Sequence, residues 1–66
     1  MDGILTDREI SCLTLLSLGY SVEKISKTLH YSKSTIHQIL SDIRETLEAR
    51  NNSHSVAIAY RKGLIK

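Results

Sequence analysis

Ser32-Lys33-Ser34-Thr35-Ile36-His37-Gln38-Ile39-Leu40-Ser41-Asp42-Ile43-Arg44-Glu45-Thr46-Leu47 is the stretch whose reading decides this fold. Ser32 is a good helix N-cap, because its hydroxyl can accept from an amide of the first turn. No Pro or Gly interrupts the chain until Gly63, so the spacing predicts a helix over about 33–48. Ile36, Ile39, Leu40, Ile43 and Leu47 recur at i, i+3, i+4, i+7 and i+11, a narrow apolar stripe on an otherwise polar helix. Lys33, Ser34, His37, Gln38 and Ser41 lie off that stripe, within the first two or three turns.

Outward from this helix, Ser21 is another N-cap, followed by Val22, Ile25 and Leu29 at spacings of three and four, which predicts a short helix over about 22–29. A helix of barely two turns does not persist alone in water, so its apolar face must be packed. The link His30-Tyr31 between the two helices is short. Further upstream, Thr6-Asp7-Arg8-Glu9 has the pattern of a capping box. Ile10, Cys12, Leu13, Leu15 and Leu16 follow, and Gly19 stands where a left-handed stop belongs, giving a helix over about 7–18. Downstream, Ser53 is taken as a cap for a fourth helix over about 54–62, closed by Arg61-Lys62-Gly63. No segment alternates with period two over a useful length. The expectation is an all-α domain of four helices occupying residues 1–66.

Composition agrees. A chain of 66 residues buries only about 60% of its unfolded surface and supports one core. Apolar residues make up 41% and charged residues 24%, an ordinary globular balance. No apolar run approaches the roughly 18 residues of a membrane span, and Met1-Asp2-Gly3 lacks the basic and apolar regions of a secretory signal, so the chain reads as cytoplasmic. Cys12, alone in an apolar helical stretch, reads as a small buried hydrophobe. His30, His37 and His54 fall on different elements without ligand or triad spacing. No catalytic residue, metal, cofactor or small-molecule substrate is expected.

Two helices joined by a short turn, the second longer and polar on its outer side, make a helix-turn-helix motif. Such a second helix can lie in a DNA major groove while its buried stripe anchors it to the domain. Hydrogen-bonding residues are then needed on the outer side, and Ser34, His37, Gln38 and Ser41 provide them. The Gln38 amide can pair bidentately with adenine, and His37 can donate to guanine or to phosphate. The helix N-termini at Ser21 and Ser32 suit phosphate, and Lys24, Lys27 and Lys33 add charge. The net charge of +2 is too small to announce nucleic-acid binding alone. On residue pattern alone, caps and solvated lysines explain the same positions.

Leu5-Thr6-Asp7-Arg8-Glu9, Gly19-Tyr20-Ser21, Ile25, Leu29, Ser32, Thr35-Ile36, Leu40, Leu47, Arg50 and Gly63-Leu64-Ile65 together resemble the LuxR/GerE-type helix-turn-helix domain, without a gap from Leu5 to Ile65. The resemblance implies a four-helix domain of bacterial transcription regulators whose third helix reads the major groove of double-stranded DNA. It implies base-edge contacts from Ser34, His37, Gln38 and Ser41, and phosphate contacts from Lys33, Thr35 and Arg44, with Ser21 and Ser32 adding main-chain contacts; Lys24 is a potential phosphate ligand that this chain adds where the family has an acid. It also implies a homodimer through the fourth helix, for which Val56, Ala57, Ile58, Tyr60 and Arg61 are the candidates, and hence a roughly palindromic site.

The chain departs from the family pattern at several of these positions. Ile36-His37-Gln38-Ile39 stands where Val-Lys-x-His is usual, so a DNA-contacting lysine is replaced by the weaker cation His37. Lys24 replaces an acid, His30 replaces a Gly in the turn, and Asp42 and Glu45 put acids where Asn or basic residues are frequent. These departures keep a rival reading open: an interaction module that pairs with another regulator and binds DNA weakly or not at all.

Overall fold

A computed structural model describes residues 4–66, among which there are four α-helices and no strand. They are α1 (Asp7–Ser17), α2 (Val22–Leu29), α3 (Lys33–Leu47) and α4 (Asn52–Arg61). Among the described residues no helix is long and apolar enough to cross a membrane.

Each helix begins on a side chain that accepts from the amide three residues on. Thr6 accepts from Glu9, Ser21 from Lys24, Ser32 from Thr35 and Asn51 from His54. At Thr6 the box is reciprocal, the Thr6 amide donating to Glu9 Oε1 at 2.9 Å and the Glu9 amide to Thr6 Oγ1 at 3.1 Å. The fourth start corrects the sequence expectation, since the cap is Asn51 rather than Ser53 and the helix begins at Asn52 rather than 54. Two contacts decide this. The Arg50 amide donates to His54 Nδ1 at 3.0 Å, so His54 closes the turn much as Glu9 does in α1. Arg44 donates to Asn52 Oδ1 and fixes the first turn of α4 against α3.

The helix ends share one geometry as well. Gly19, His30, Glu48 and Gly63 are left-handed, with φ of 93°, 64°, 56° and 73°. The amide after each reaches back five residues: Tyr20 to Leu15, Tyr31 to Ser26, Ala49 to Arg44 and Leu64 to Ala59. This is the Schellman closure, which satisfies carbonyls that the last turn leaves free. It stops α1 at Ser17, α3 at Leu47 and α4 at Arg61, each one residue before the sequence-based end, and α2 at Leu29, where the spacing placed it. Glycine adopts this conformation without penalty, whereas a side chain there crowds its own backbone. Glu48 is doubly mismatched, because its carboxylate also sits at the negative end of the helix dipole.

The core lies around α3, which packs against α1, α2 and α4, while α2 and α4 do not meet. Ile36, Ile39, Leu40, Ile43 and Leu47 are all buried, as the spacing predicts. Around them close Leu5, Cys12, Leu13, Ile25, Ala59 and Ile65. Burial pushes the Cys12 thiol up to about 11, so it stays protonated and unreactive in the folded state. Ser26 satisfies its buried hydroxyl by donating to the Glu23 carbonyl at 2.7 Å. Ser55, only 1% exposed, has no partner for its Oγ, and a buried hydroxyl without a hydrogen bond costs about 1–3 kcal/mol.

Two substitutions test this account by thermal unfolding. Glu48→Gly relieves the left-handed strain and the adverse charge, and is expected to add about 1 kcal/mol, a rise of several degrees in Tm for a domain of this size. Ser55→Ala removes the unpartnered hydroxyl at nearly constant volume and is expected to stabilise by a similar amount; a lower Tm would show that the hydroxyl is in fact satisfied.

Candidate nucleic-acid interface

Because the stripe of α3 is locked inward, the opposite side faces outward. Ser34, His37, Gln38 and Ser41 are all exposed there. No part of α4 or of the described amino-terminal segment covers them. Gln38 also has the exposed Asp42 one turn further along the same side, and the Gln38 Nε2 donates to Asp42 Oδ1 at 3.0 Å.

The approach to α3 carries the candidate phosphate ligands. Ser21, Lys24, Ser32 and Lys33 are exposed and Thr35 is half-buried. Both serine hydroxyls are already engaged as caps, accepting from the Lys24 and Thr35 amides at 3.1 Å each, and Ser32 Oγ also shares a hydrogen bond of 2.9 Å with Thr35 Oγ1. A phosphate would therefore meet the free amides of the first turns and the dipole ends of α2 and α3, with the hydroxyls in support. The Lys24 ammonium stands 4.8 Å from the centroid of the Tyr20 ring, which holds it beside the start of α2. Lys27 pairs with Glu23 at 3.4 Å on the exposed side of α2, an arrangement of small energetic consequence.

The structure separates Arg44 from this group. It is half-buried and turned to Asn52. Its guanidinium keeps further N–H donors, but its position is tied to the α3–α4 junction. The sequence reading also missed one cation. Arg8, at the start of α1, lies 5.6 Å from the centroid of Tyr31, the residue immediately before the Ser32 cap. Nothing in the spacing of Arg8 and Tyr31 signals that pairing, which arises only when α1 packs beside the turn.

On α4 the candidate association surface is narrower than its composition suggests. Val56 and Ile58 are half-buried against the core, Ala57 is half-buried, and Tyr60 and Arg61 are exposed. Tyr60 at 60% and Leu18 at 65% are the most exposed large apolar or aromatic residues described. The histidines stay apart in role. His30 forms the turn, His37 faces outward from α3, and His54 is engaged at the start of α4. Among the described residues no three His, Cys, Asp or Glu side chains gather into a metal-binding group.

Comparison with known proteins agrees with this arrangement. The profile described as "GerE: Bacterial regulatory proteins, luxR family" matches residues 3–59. The response regulator protein VraR of Staphylococcus aureus is 32% identical over 63 residues, 96% of this chain and 30% of that protein. VraR of Staphylococcus saprophyticus matches with the same figures, so the chain spans about 30% of the length of these relatives. The solved structure titled "Structure of Transcription factor, GerE" superposes with a TM-score of 0.96 at 28% identity, covering 98% of this chain and 97% of that one. With the α2–turn–α3 unit in place and the match running along most of its sequence, the chain belongs to the luxR family of bacterial regulatory proteins.

Proposed function

We propose that this chain binds double-stranded DNA sequence-specifically to regulate transcription, with α3 in the major groove. The observation that carries the reading is the division of α3 into a wholly buried stripe and an exposed side bearing Ser34, His37, Gln38 and Ser41. A helix so divided is held rigidly by the domain while its outer hydrogen-bonding groups reach base edges in a groove about 12 Å wide. Ser21, Lys24, Ser32, Lys33 and Thr35 supply backbone contacts that set orientation, and Arg44 contributes with the donors that Asn52 leaves free. Family membership supports the DNA partner, and with it a location in the cytoplasm, where bacterial DNA is.

The active species in this reading is a homodimer, joined through α4 with Tyr60 and Arg61 outermost and Val56, Ala57 and Ile58 at the margin. A two-fold pair places two copies of α3 on a roughly palindromic site. The exposed Leu18 and Tyr60 favour a second reading, in which the domain pairs with another regulator and touches DNA little.

Fluorescence anisotropy with labelled duplex over a series of salt concentrations separates the two. Neutralising phosphates with Lys24, Lys33 and Arg44 gives a log–log slope of about −3 for one copy and about −5 for the dimer, whereas an apolar contact between proteins barely responds to salt. Gln38→Ala is expected to lower discrimination between the best site and a single-base variant by about 1–3 kcal/mol while leaving the salt slope unchanged. No binding to DNA at micromolar protein and low salt would make the pairing module the better account.

A further inference from the structure

We propose that Asp42 is a positioning residue for base recognition, holding the Gln38 amide in the one orientation that favours adenine over guanine. The proposal rests on the reading of α3 as the DNA-contacting helix and goes beyond it by assigning a role to an acid on a surface that must approach phosphates.

The argument begins with the single hydrogen bond between two exposed side chains of α3, Gln38 Nε2 to Asp42 Oδ1 at 3.0 Å. An ionised carboxylate only accepts, so the nitrogen of the amide, and not its oxygen, must face it. That fixes the sense of an amide that otherwise turns over easily, because the terminal torsion of a Gln side chain is broad and roughly two-fold. Residues four apart on a helix are neighbours, and a Gln–Asp pair at this spacing is a favourable one. The contact therefore forms from the helix geometry itself, before any DNA arrives.

The consequence follows from counting donors. A primary amide has two N–H groups and one carbonyl oxygen. With one N–H held by Asp42, a single donor and a single acceptor remain. Adenine presents N7 as acceptor and N6–H2 as donor in the major groove, so it completes that pair. Guanine presents N7 and O6, both acceptors, and satisfies an amide best when both N–H groups are free. Occupying the second N–H thus removes the alternative that a guanine would use. The carboxylate also repels the phosphates on either side of the groove, so Asp42 lowers affinity for every sequence while sharpening the choice among them.

Asp42→Asn and Asp42→Ala separate these effects. Asn keeps a carbonyl oxygen in place and removes the charge, whereas Ala removes both, and position 42 is exposed, so both variants keep the core intact. The 66-residue chain, its two variants and Gln38→Ala are each used to select bound sequences from random duplex, with helical content checked by circular dichroism. Gln38→Ala identifies the base pair that Gln38 reads. At that position Asp42→Ala is expected to reduce the adenine-over-guanine preference about tenfold, and Asp42→Asn to retain most of it. Both variants should bind random duplex more tightly than the original chain, measured by anisotropy.

If Asp42→Ala keeps the original preference at the Gln38 position, Asp42 is only a solvated acid and the proposal is overturned. Loss of a cytosine preference at a different base pair, untouched by Gln38→Ala, overturns it too, because the carboxylate then contacts cytosine N4 directly. Failure of the unaltered chain to enrich any sequence at low salt removes the reading of α3 itself, an outcome distinct from the other two.

Discussion

Everything in this domain depends on five side chains of α3 being held in the core at once. Ile36, Ile39, Leu40, Ile43 and Leu47 are buried by three other helices, and burying each of these apolar side chains contributes on the order of 1.5–3 kcal/mol. A helix gripped along its length on one side cannot rotate about its axis without exposing that stripe. The same constraint that makes the core therefore fixes which residues meet solvent, and the outward set of Ser34, His37, Gln38 and Ser41 is a by-product of packing. Rigidity of this kind is what a reader of base edges needs, because bidentate pairing tolerates little angular error.

Arg44 extends the constraint to the neighbouring element. Its bond to Asn52 joins α3 to the first turn of α4 and ties the two helices together at their junction. If two copies meet through α4, the angle and spacing between their third helices follow from that junction. Arg44 then serves the geometry of the pair as well as any charge it brings to the backbone.

The parts legible in the sequence were those written in local rules. Thr6, Ser21 and Ser32 each precede an apolar period, and the stripe of α3 is a matter of spacing, so both could be read directly. Three cap-capable residues in a row, Asn51-Asn52-Ser53, left the start of α4 open, and the choice fell to Arg44 and His54, whose contacts exist only after folding. The end of α2 at Leu29 was legible from its apolar spacing, although the left-handed His30 behind it was not, and α3 was read one residue too long because the usual signal for a left-handed stop is Gly and Glu48 stands there instead. The narrow free surface of α4 was hidden for a similar reason, since an amphipathic pattern does not say how deep Val56 and Ile58 will sit. Gln38 and Asp42 were each visible, yet their hydrogen bond appears only when rotamers are known.

The uniform closure of the helices also bears on how quickly the chain finds its structure. All four starts are sealed within three residues and all four stops within five, so each helix carries its own punctuation and asks little of distant parts. Domains built from such near neighbours lose little loop entropy on the way to the transition state, and they reach the native form in microseconds to milliseconds. A helical unit of this design takes shape from its own near neighbours, without waiting on distant parts of a chain.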